Sequence, residues 1–589
     1  MRENESVAEN PTDLRTRDIL LFTAAVFILS ANVVTIYYLL LNQDIFVNGF
    51  WVMLREFRGQ LLQHPNGAAT TLFRSMQHNT YNDLGIVPLL PLSFVFGLNR
   101  LGYTLNLVNV YFIPSFVIYF ILIDAIYKQN DRRFLLMGGL SIALIYFAQP
   151  HFWYLTFRGH IDIGVLIMLN GIILFLFHHP IRKQRLYHLL LLGLLCAIAI
   201  LFRRWLSIWI TALFVSLAGE QCCLWLCRKI HRREFFYSCL KLFLAALCAL
   251  ALLLVFAWSV TITALSTNYH ELYSAYGSSG NFFTGFWSTI QVLGLSSVVI
   301  ALVSIMYSFA RFPAVRSLIV FLVVQSLVFF VLFFRIQRFD PHHFLGLLPV
   351  ILLSTGLCVS DILLRIRSLI LRLLIFVIIA YFVLSNILTA FFFPHYIHPF
   401  TTLSPHFFTS MRLLPRVRED MNEFNKLRMT LNTLIDESPG RIYVLSDGSV
   451  LKFQLLQYAY VSFLDGPDQV NKNTNMTAVV DKVNGFPQNF FTAKYVVVAN
   501  PILSLIKPED SQVMHILADA LLQGKTFAHS YDKRPEEFHL DRGVTVSIFE
   551  RKRPIRKTDI AKLSSEFRAI YPDHPKIFSI SVPQNLLSE

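Results

Sequence analysis

The chain has 589 residues, of which 55% are hydrophobic and 15% charged, and its mean hydropathy is +0.53. So much apolar surface excludes an ordinary soluble protein and indicates a polytopic membrane protein. The formal net charge is +14. Since most Lys and Arg fall in short loops between apolar runs, membrane orientation and anionic lipid explain this charge, and we predict no nucleic-acid partner.

The N-terminal region consists of a polar segment and one long apolar run. Residues 1–18 predict a cytoplasmic tail. The run at 19–41 exceeds the roughly 20 residues that a spanning helix needs, and no small-residue cleavage site follows it. It therefore predicts a retained anchor and not a signal peptide.

Apolar runs continue to residue 393 and predict a membrane domain at 19–393. With the first run they give about eleven transmembrane helices, the others being 104–127, 134–148, 161–178, 186–202, 205–227, 236–266, 286–309, 317–334, 344–361 and 367–393. Residues 84–98 are short for a span and carry Pro88 and Pro91, so they predict a juxtamembrane or re-entrant helix within the first outer loop, 42–103.

Basic loops predict the orientation of these helices. If all of them face the cytoplasm, the N-terminus lies inside and eleven crossings leave the C-terminal region outside. The loops are 128–133, 182–185, 228–233, 311–316 and 365–372.

From residue 394 the chain changes character, and 394–589 predicts a soluble extracytoplasmic domain. Short β-rich runs occur at 441–446, 494–499 and 544–549, with helix-like stretches at 418–435 and 508–522 among them. This alternation indicates an α/β or α+β fold.

Ionisable residues on the predicted outer loops suggest an active site at the outer face of the membrane. Asp44 and Asp83 belong to the first outer loop, and Asp162 ends the loop at 149–162. A carboxylate partly desolvated at the membrane boundary gains proton affinity, which suits it to take a proton from an acceptor hydroxyl. The alternative is structural, because Asp44 and Asp83 also stand where a helix N-cap would be.

Arginines on the outer side predict a phosphate site. Guanidinium donors match phosphate oxygens in geometry, and the candidates are Arg203, Arg204, Arg335 and Arg338. As an alternative, Arg203 and Arg204 form a hairpin tip that extends to lipid headgroups.

Further polar residues complete the predicted pocket, namely Arg158, His160, His342 and His343. The histidines and carboxylates together could hold a divalent metal such as Mg or Mn. Their spacing matches no strict ligand motif, so the sequence assigns no cofactor.

The residues described above resemble a known family. A first helix, a long outer loop opening with an acid, a proline-bearing segment ending in Phe-Gly and an outer Asp before a helix are similar to the GT-C glycosyltransferases. The nearest branch is the aminoarabinose-transferase and protein-mannosyltransferase-like one, glycosyltransferase family 39. Its Asp after the first helix matches Asp44, although Ile45 replaces the Glu that follows there; its later acids match Asp83 in YNDLGIVPLLP and Asp162 in RGHID.

This resemblance implies a function at the cell envelope. A polyprenyl-phosphate sugar would be the donor, and the acceptor hydroxyl would belong to a glycan, a lipid or a protein. Asp44 would act as general base, and the anomeric carbon would be inverted. A bacterial inner membrane fits better than an endoplasmic reticulum.

Other functions remain open on the sequence alone. An outer-face polysaccharide ligase or polymerase also uses Arg and His, but such proteins place their large functional loop late in the chain. A lipid or polysaccharide transporter predicts acids in the middle of spanning helices, and those positions are nearly free of charge here. GxxxxGK[ST] and GxGxxG motifs are absent from the sequence, so nothing indicates an ATP-driven motor.

Overall fold

The structure is a computed structural model that describes most of the chain. The described residues are 11–41, 49–79, 81–127, 134–267, 275, 282–336, 339–392, 407–409, 418–458 and 469–589. They divide into two compact units. The first is drawn from Met1–Leu40, Met53–Thr267 and Gly280–Pro415, and the second from Leu41–Val52, Asn268–Ser279 and Arg416–Glu589.

Helices make up most of the described chain up to residue 387, because long apolar runs away from water must satisfy their backbone groups internally. They are α1 (Pro11–Leu41), α2 (Phe50–Gln63), α3 (Pro65–His78), α4 (Leu90–Phe96), α5 (Arg100–Leu107), α6 (Ile113–Tyr127), α7 (Phe134–Phe147), α8 (Pro150–Phe157), α9 (Val165–His178), α10 (Leu186–Phe202), α11 (Leu206–Leu226), α12 (Arg232–Phe256), α13 (Trp258–Ser266), α14 (Phe282–Leu293), α15 (Leu295–Arg311), α16 (Arg316–Ile336), α17 (Leu348–Arg365) and α18 (Leu369–Ile387).

Within the described residues, eight helices are long and apolar enough to cross a membrane, and the chain is an integral membrane protein. They are Leu21–Leu41, Arg100–Ile126, Ile161–His178, Leu206–Leu226, Arg232–Phe256, Pro313–Arg335, Leu348–Arg365 and Leu369–Ile387. The span Arg100–Ile126 is continuous because a π-helical turn, Val108–Phe112, joins α5 to α6.

The other predicted spans differ from straight membrane helices. The one predicted at 286–309 is a pair, Phe283–Leu293 and Leu295–Arg311, bent by 94° at Gly294, whose φ is +84°. Those predicted at 134–148 and 186–202 appear as shorter apolar helices, Gly138–Phe147 and Leu186–Phe202. The proline-bearing segment is also a shorter apolar helix, Asp83–Phe96, as expected for a juxtamembrane element.

Polar contacts inside this unit join helices that are distant in sequence. The amides of Asn32 and Asn109 bond reciprocally, at 2.8 and 3.2 Å, which ties α1 to the π-helical turn. Tyr119 Oη donates to the carbonyl of Leu352 at 2.7 Å, so α6 and α17 are held together where Gly356 leaves room for the tyrosine ring. Such bonds stabilise helix pairs in lipid, where apolar burial alone provides little driving force.

The C-terminal unit is a mixed sheet with helices on both faces. Its main sheet has the order β1 (Ile442–Leu445), β2 (Tyr495–Asn500), β4 (Val544–Arg551), β3 (Tyr531–Leu540), and β5 (Ile555–Arg556) pairs with β6 (Leu587–Ser588). Strands β1 and β2 are parallel, whereas β4 is antiparallel to both β2 and β3. The helices are α19 (Met421–Glu437), α20 (Phe453–Tyr458), α21 (Gln469–Asn473), α22 (Asp481–Asn484), α23 (Gln512–Gln523) and α24 (Lys557–Ile570).

Alternation along β2 explains the two cores of this unit. Tyr495, Val497 and Ala499 pack with residues of α19 on one face, whereas Val496 and Val498 pack with α23 and α24 on the other. The expected α/β character is therefore confirmed. Strand β3 was not predicted, because its sequence, YDKRPEEFHL, is charged and contains Pro535. Both features are typical of an edge strand.

Candidate active site

A tight turn between α8 and α9 places the first two residues of the site. Gly159 has φ +73°, a left-handed conformation that a residue without Cβ adopts readily. Tyr103 Oη donates to the Gly159 carbonyl at 3.0 Å, and the His160 amide donates back to Leu155. The turn therefore directs His160 and Asp162 to the start of α9.

Asp162 is the centre of the site. Its side chain is fully buried, and Oδ1 accepts hydrogen bonds from Arg203 Nε at 2.7 Å and Trp205 Nε1 at 3.1 Å. Its other oxygen, Oδ2, has no hydrogen-bond donor among the described residues and lies 3.5 Å from His160 Nδ1. A buried carboxylate requires a counter-charge, and Arg203 provides it.

Arg203 reaches Asp162 from a hairpin between two apolar helices. It is the C-cap of α10 in an extended conformation, and Leu206 already donates back to its carbonyl as α11 begins. Only 8% of its side chain is exposed, and its guanidinium lies 5.4 Å from the centre of the Tyr81 ring. A cationic guanidinium over an aromatic face adds a further favourable contact.

Two histidines from the segment before α17 pack beside this ion pair. The rings of His342 and His343 lie 6.4 and 5.5 Å from that of Trp205, and the His342 ring is 6.2 Å from that of His160. Burial lowers the pKa of His342 to about 4 and the pKa of His343 well below its usual value; it also lowers the pKa of His160. The three rings are therefore neutral at pH 7, so they add no positive charge next to Arg203.

Asp83 belongs to a segment that packs against the same hairpin. Asn82 donates to the carbonyl of Leu201 at 2.9 Å, and Gly85 packs so closely on Ile161 that a Cβ would lie 2.3 Å from it. The backbone amide of Asp83 donates to Ser75 Oγ at 2.7 Å. Burial raises the pKa of Asp83, which increases the proton affinity of its carboxylate.

The structure thus brings together five of the residues proposed from the sequence: Asp162, Arg203, His160, His342 and His343. Three others belong to the same compact unit. Arg158 is bound to Tyr154 Oη at 2.7 Å, Arg204 is half-buried in the hairpin, and Arg335 is exposed in the last turn of α16. Asp44 and Arg338 lie outside the described residues.

Two aromatic residues of the site were not predicted. Trp205 donates to Asp162, and Tyr81 lies under Arg203. Both are sequence neighbours of residues that were proposed, Arg204 and Asp83. Aromatic residues are so frequent in this chain that neither one stands out without the fold. No group of three or more His, Cys, Asp or Glu side chains within the described ranges has the arrangement of a metal site.

The direction of the helices places this site at one end of the membrane unit. It lies at the start of α9, α11 and α17 and at the end of α10. The basic segments 182–185, 228–233, 311–316 and 365–372 lie at the other ends of these or of neighbouring helices. The site and the basic segments are therefore separated by the length of a spanning helix.

Comparisons with known proteins give one likeness. No protein-family model matches the chain, and no curated protein matches its sequence. Two solved structures of ArnT from Cupriavidus metallidurans, one bound to undecaprenyl phosphate and one in the apo state, cover 89% of this chain and 97% of their own. They are 12% and 11% identical to it, each with a TM-score of 0.46. The chain is similar to these proteins, and at this TM-score the likeness carries no argument about its function.

Proposed function

We propose that the protein is a membrane glycosyltransferase that moves a sugar from a polyprenyl-phosphate donor to an acceptor hydroxyl. The observation that carries the proposal is the gathering of Asp162, Arg203 and three neutral histidines at the ends of apolar helices. Ionisable groups are rare at such places, and five of them together indicate function. The resemblance of the sequence to the GT-C glycosyltransferases points to the same class.

Orientation follows from the basic segments at the opposite helix ends. By the positive-inside rule those ends are cytoplasmic, so the site faces the other side of the membrane. In a bacterium this membrane would be the inner one, the N-terminus would be cytoplasmic and the C-terminal unit extracytoplasmic. A lipid-linked donor is suited to such a site, because its isoprenoid chain stays among the helices while the sugar reaches the boundary.

The arginines would bind the donor phosphate. We assign Arg203 and Arg204 of the hairpin to this role, with Arg335 in the last turn of α16 and Arg338, which follows it by three positions in the sequence. A guanidinium has five N–H donors, so the Nε bond from Arg203 to Asp162 does not by itself prevent contact with a phosphate. Asp162 then also positions Arg203, since it fixes the direction of that guanidinium.

A carboxylate would accept the proton in the transfer step. The acceptor oxygen forms a bond to the anomeric carbon, the bond from that carbon to the phosphate oxygen breaks, and polyprenyl phosphate leaves with the electron pair. The acceptor's proton passes to the base, which we assign to Asp44 with Asp83 as the second candidate. Attack opposite the leaving group inverts the anomeric carbon. Positive charge near the phosphate stabilises the leaving group.

Transfer assays on purified protein in lipid nanodiscs test the proposal. Wild type, Asp44→Asn, Asp83→Asn and Asp162→Asn are compared on a panel of polyprenyl-phosphate sugars with glycan, lipid and protein acceptors. Asp124→Asn serves as the control, since Asp124 lies in the last turn of α6, at the end of that helix opposite to the site. The base variant is expected to lose about 100-fold or more. Full activity of all three variants, or no transfer by wild type from any donor, contradicts the proposal.

A further inference from the structure

A second charged cluster lies at the end of α17 opposite to the site. Asp361 Oδ2 accepts three hydrogen bonds, from Tyr307 Oη at 2.6 Å, Arg365 Nε at 2.7 Å and Arg311 Nε at 3.3 Å. His343 precedes α17, whereas Asp361 is in its last turns. Asp361 follows the first residue of α17, Leu348, by 13 positions, so at 1.5 Å per residue about 20 Å of helix lies between the two clusters, and the turn His343–Gly346 adds to this distance.

Five arginines converge at this end from consecutive helices: Arg311, Arg316, Arg365, Arg367 and Arg372. Two of them donate hydrogen bonds to backbone carbonyls. Arg316 donates to the carbonyls of Phe309 and Ala310, and Arg372 donates to the carbonyl of Ile366. Such bonds satisfy free carbonyls at helix C-termini.

Arg311 and Arg365 are different, and we call them the arginine pair. Each donates a hydrogen bond to Asp361 through Nε, and the described residues show no hydrogen bond from the Nη atoms of either. Their side chains are 47% and 51% exposed, whereas that of Asp361 is 7% exposed. One buried carboxylate therefore holds two guanidinium groups side by side at the surface, and the pair keeps a net positive charge.

From this geometry we propose that the arginine pair binds the phosphate of an anionic phospholipid in the leaflet opposite to the active site. Two guanidinium groups fixed by a shared carboxylate need little further ordering to bind a phosphate. The cluster lies where a spanning helix ends, which is the level of the headgroups. Zwitterionic lipids bring an ammonium group that the surrounding arginines repel, so an anionic headgroup is preferred.

Acidic residues nearby leave this charge balance intact. Besides Asp361, the described residues place Glu220 of α11 close to the start of α16, where Ser317 Oγ donates to it at 2.7 Å. Asp124 near the end of α6 lies on the same side, so three acids accompany these five arginines and the charge remains positive. The inference does not depend on the proposed glycosyltransferase activity.

Native mass spectrometry of the full protein tests the proposal. Delipidated wild type, Arg311→Gln, Arg365→Gln and Arg367→Gln are titrated with phosphatidylglycerol and, separately, with phosphatidylcholine. Arg367 is the matched control, since it is an exposed arginine of the same segment, two positions after Arg365. We expect wild type to prefer phosphatidylglycerol, the two variants of the arginine pair to bind it about tenfold more weakly, and Arg367→Gln to change binding no more than about twofold.

Other outcomes overturn the proposal. Equal weakening in all three variants means diffuse attraction, and equal binding of both lipids means that the headgroup charge is not recognised. Full displacement of lipid by millimolar inorganic phosphate means a site for soluble phosphate. If a Gln variant does not fold, Arg311→Lys replaces it, because Lys keeps the charge beside Asp361 and loses the guanidinium donors. Unchanged binding in that variant also overturns the proposal.

Discussion

The ion pair between Asp162 and Arg203 makes the sharpest prediction about stability. Asp162 is fully buried, Arg203 is 8% exposed, and their contact is 2.7 Å. Removing one partner leaves the other charge buried without compensation, which costs about 3–5 kcal/mol. Asp162→Asn and Arg203→Met should therefore each destabilise the membrane unit strongly. The double variant should cost less than the sum, because it leaves neither charge behind.

Thiol exposure on heating measures this effect. Cys196 and Cys358 are buried in the membrane unit, so a thiol-reactive dye reports its unfolding when the five exposed or partly exposed cysteines are replaced by Ser, namely Cys222, Cys223, Cys227, Cys239 and Cys248. We expect each single variant to lower Tm by about 6–20 °C, if the shift of roughly 2–4 °C per kcal/mol for proteins of 150–250 residues applies. Arg335→Met, which removes an exposed arginine from the end of α16, should stay within about 1 °C. Single variants with the Tm of wild type, or strictly additive effects, would refute the reasoning.

Three further predictions address backbone packing, catalysis and pH. Gly164→Ala places a Cβ 2.7 Å from the rings of Phe202 and Tyr111, so Tm and transfer activity should fall together, and an unchanged Tm would contradict this packing. If Asp83 is the base, transfer should decline as pH falls through its raised pKa, and Asp83→Asn should remove activity while Tm changes little; an identical pH profile in the variant would exclude that role. In the C-terminal unit burial raises the pKa of Asp447 to about 6, so the ionised carboxylate destabilises the folded state above that pH. This destabilisation is lost as the pH falls from about 6 to about 4, because the buried carboxylate takes up a proton. Asp447→Asn should accordingly slow hydrogen exchange of the β1 amides at pH 8, because it raises their free energy of opening by up to about 3 kcal/mol, and it should have little effect at pH 4. Faster exchange in the variant at pH 8 would show instead that the carboxylate stabilises the fold.

Part of this protein could be read from local patterns. Long apolar runs demand helices in lipid whatever their neighbours are, so the membrane class and most spans follow from residues such as 236–266. In the C-terminal unit, the β-rich runs at 494–499 and 544–549 predicted β2 and β4 because strand propensity and burial agree there. Strand β3 was not predicted, since an edge strand exposed to water needs no apolar pattern.

The site itself depended on contacts that no local pattern contains. Asp162 and Arg203 are separated by 41 positions, and the histidines before α17 are far more distant still. Sequence reasoning listed these residues as outer-loop groups, with Arg203 directed at a phosphate. It could not show that Arg203 reaches Asp162, or that Trp205 and Tyr81 surround the guanidinium.

The sequence by itself determined which segments lie in lipid and which in water, because hydropathy is a property of single residues added along the chain. Which ionisable groups meet was decided only by tertiary structure. The turn at Gly159 and the hairpin at Arg203 set the direction of two side chains that meet within hydrogen-bonding distance. Electrostatic interaction in a buried place depends steeply on such distances, and distance in space is not encoded by distance in sequence.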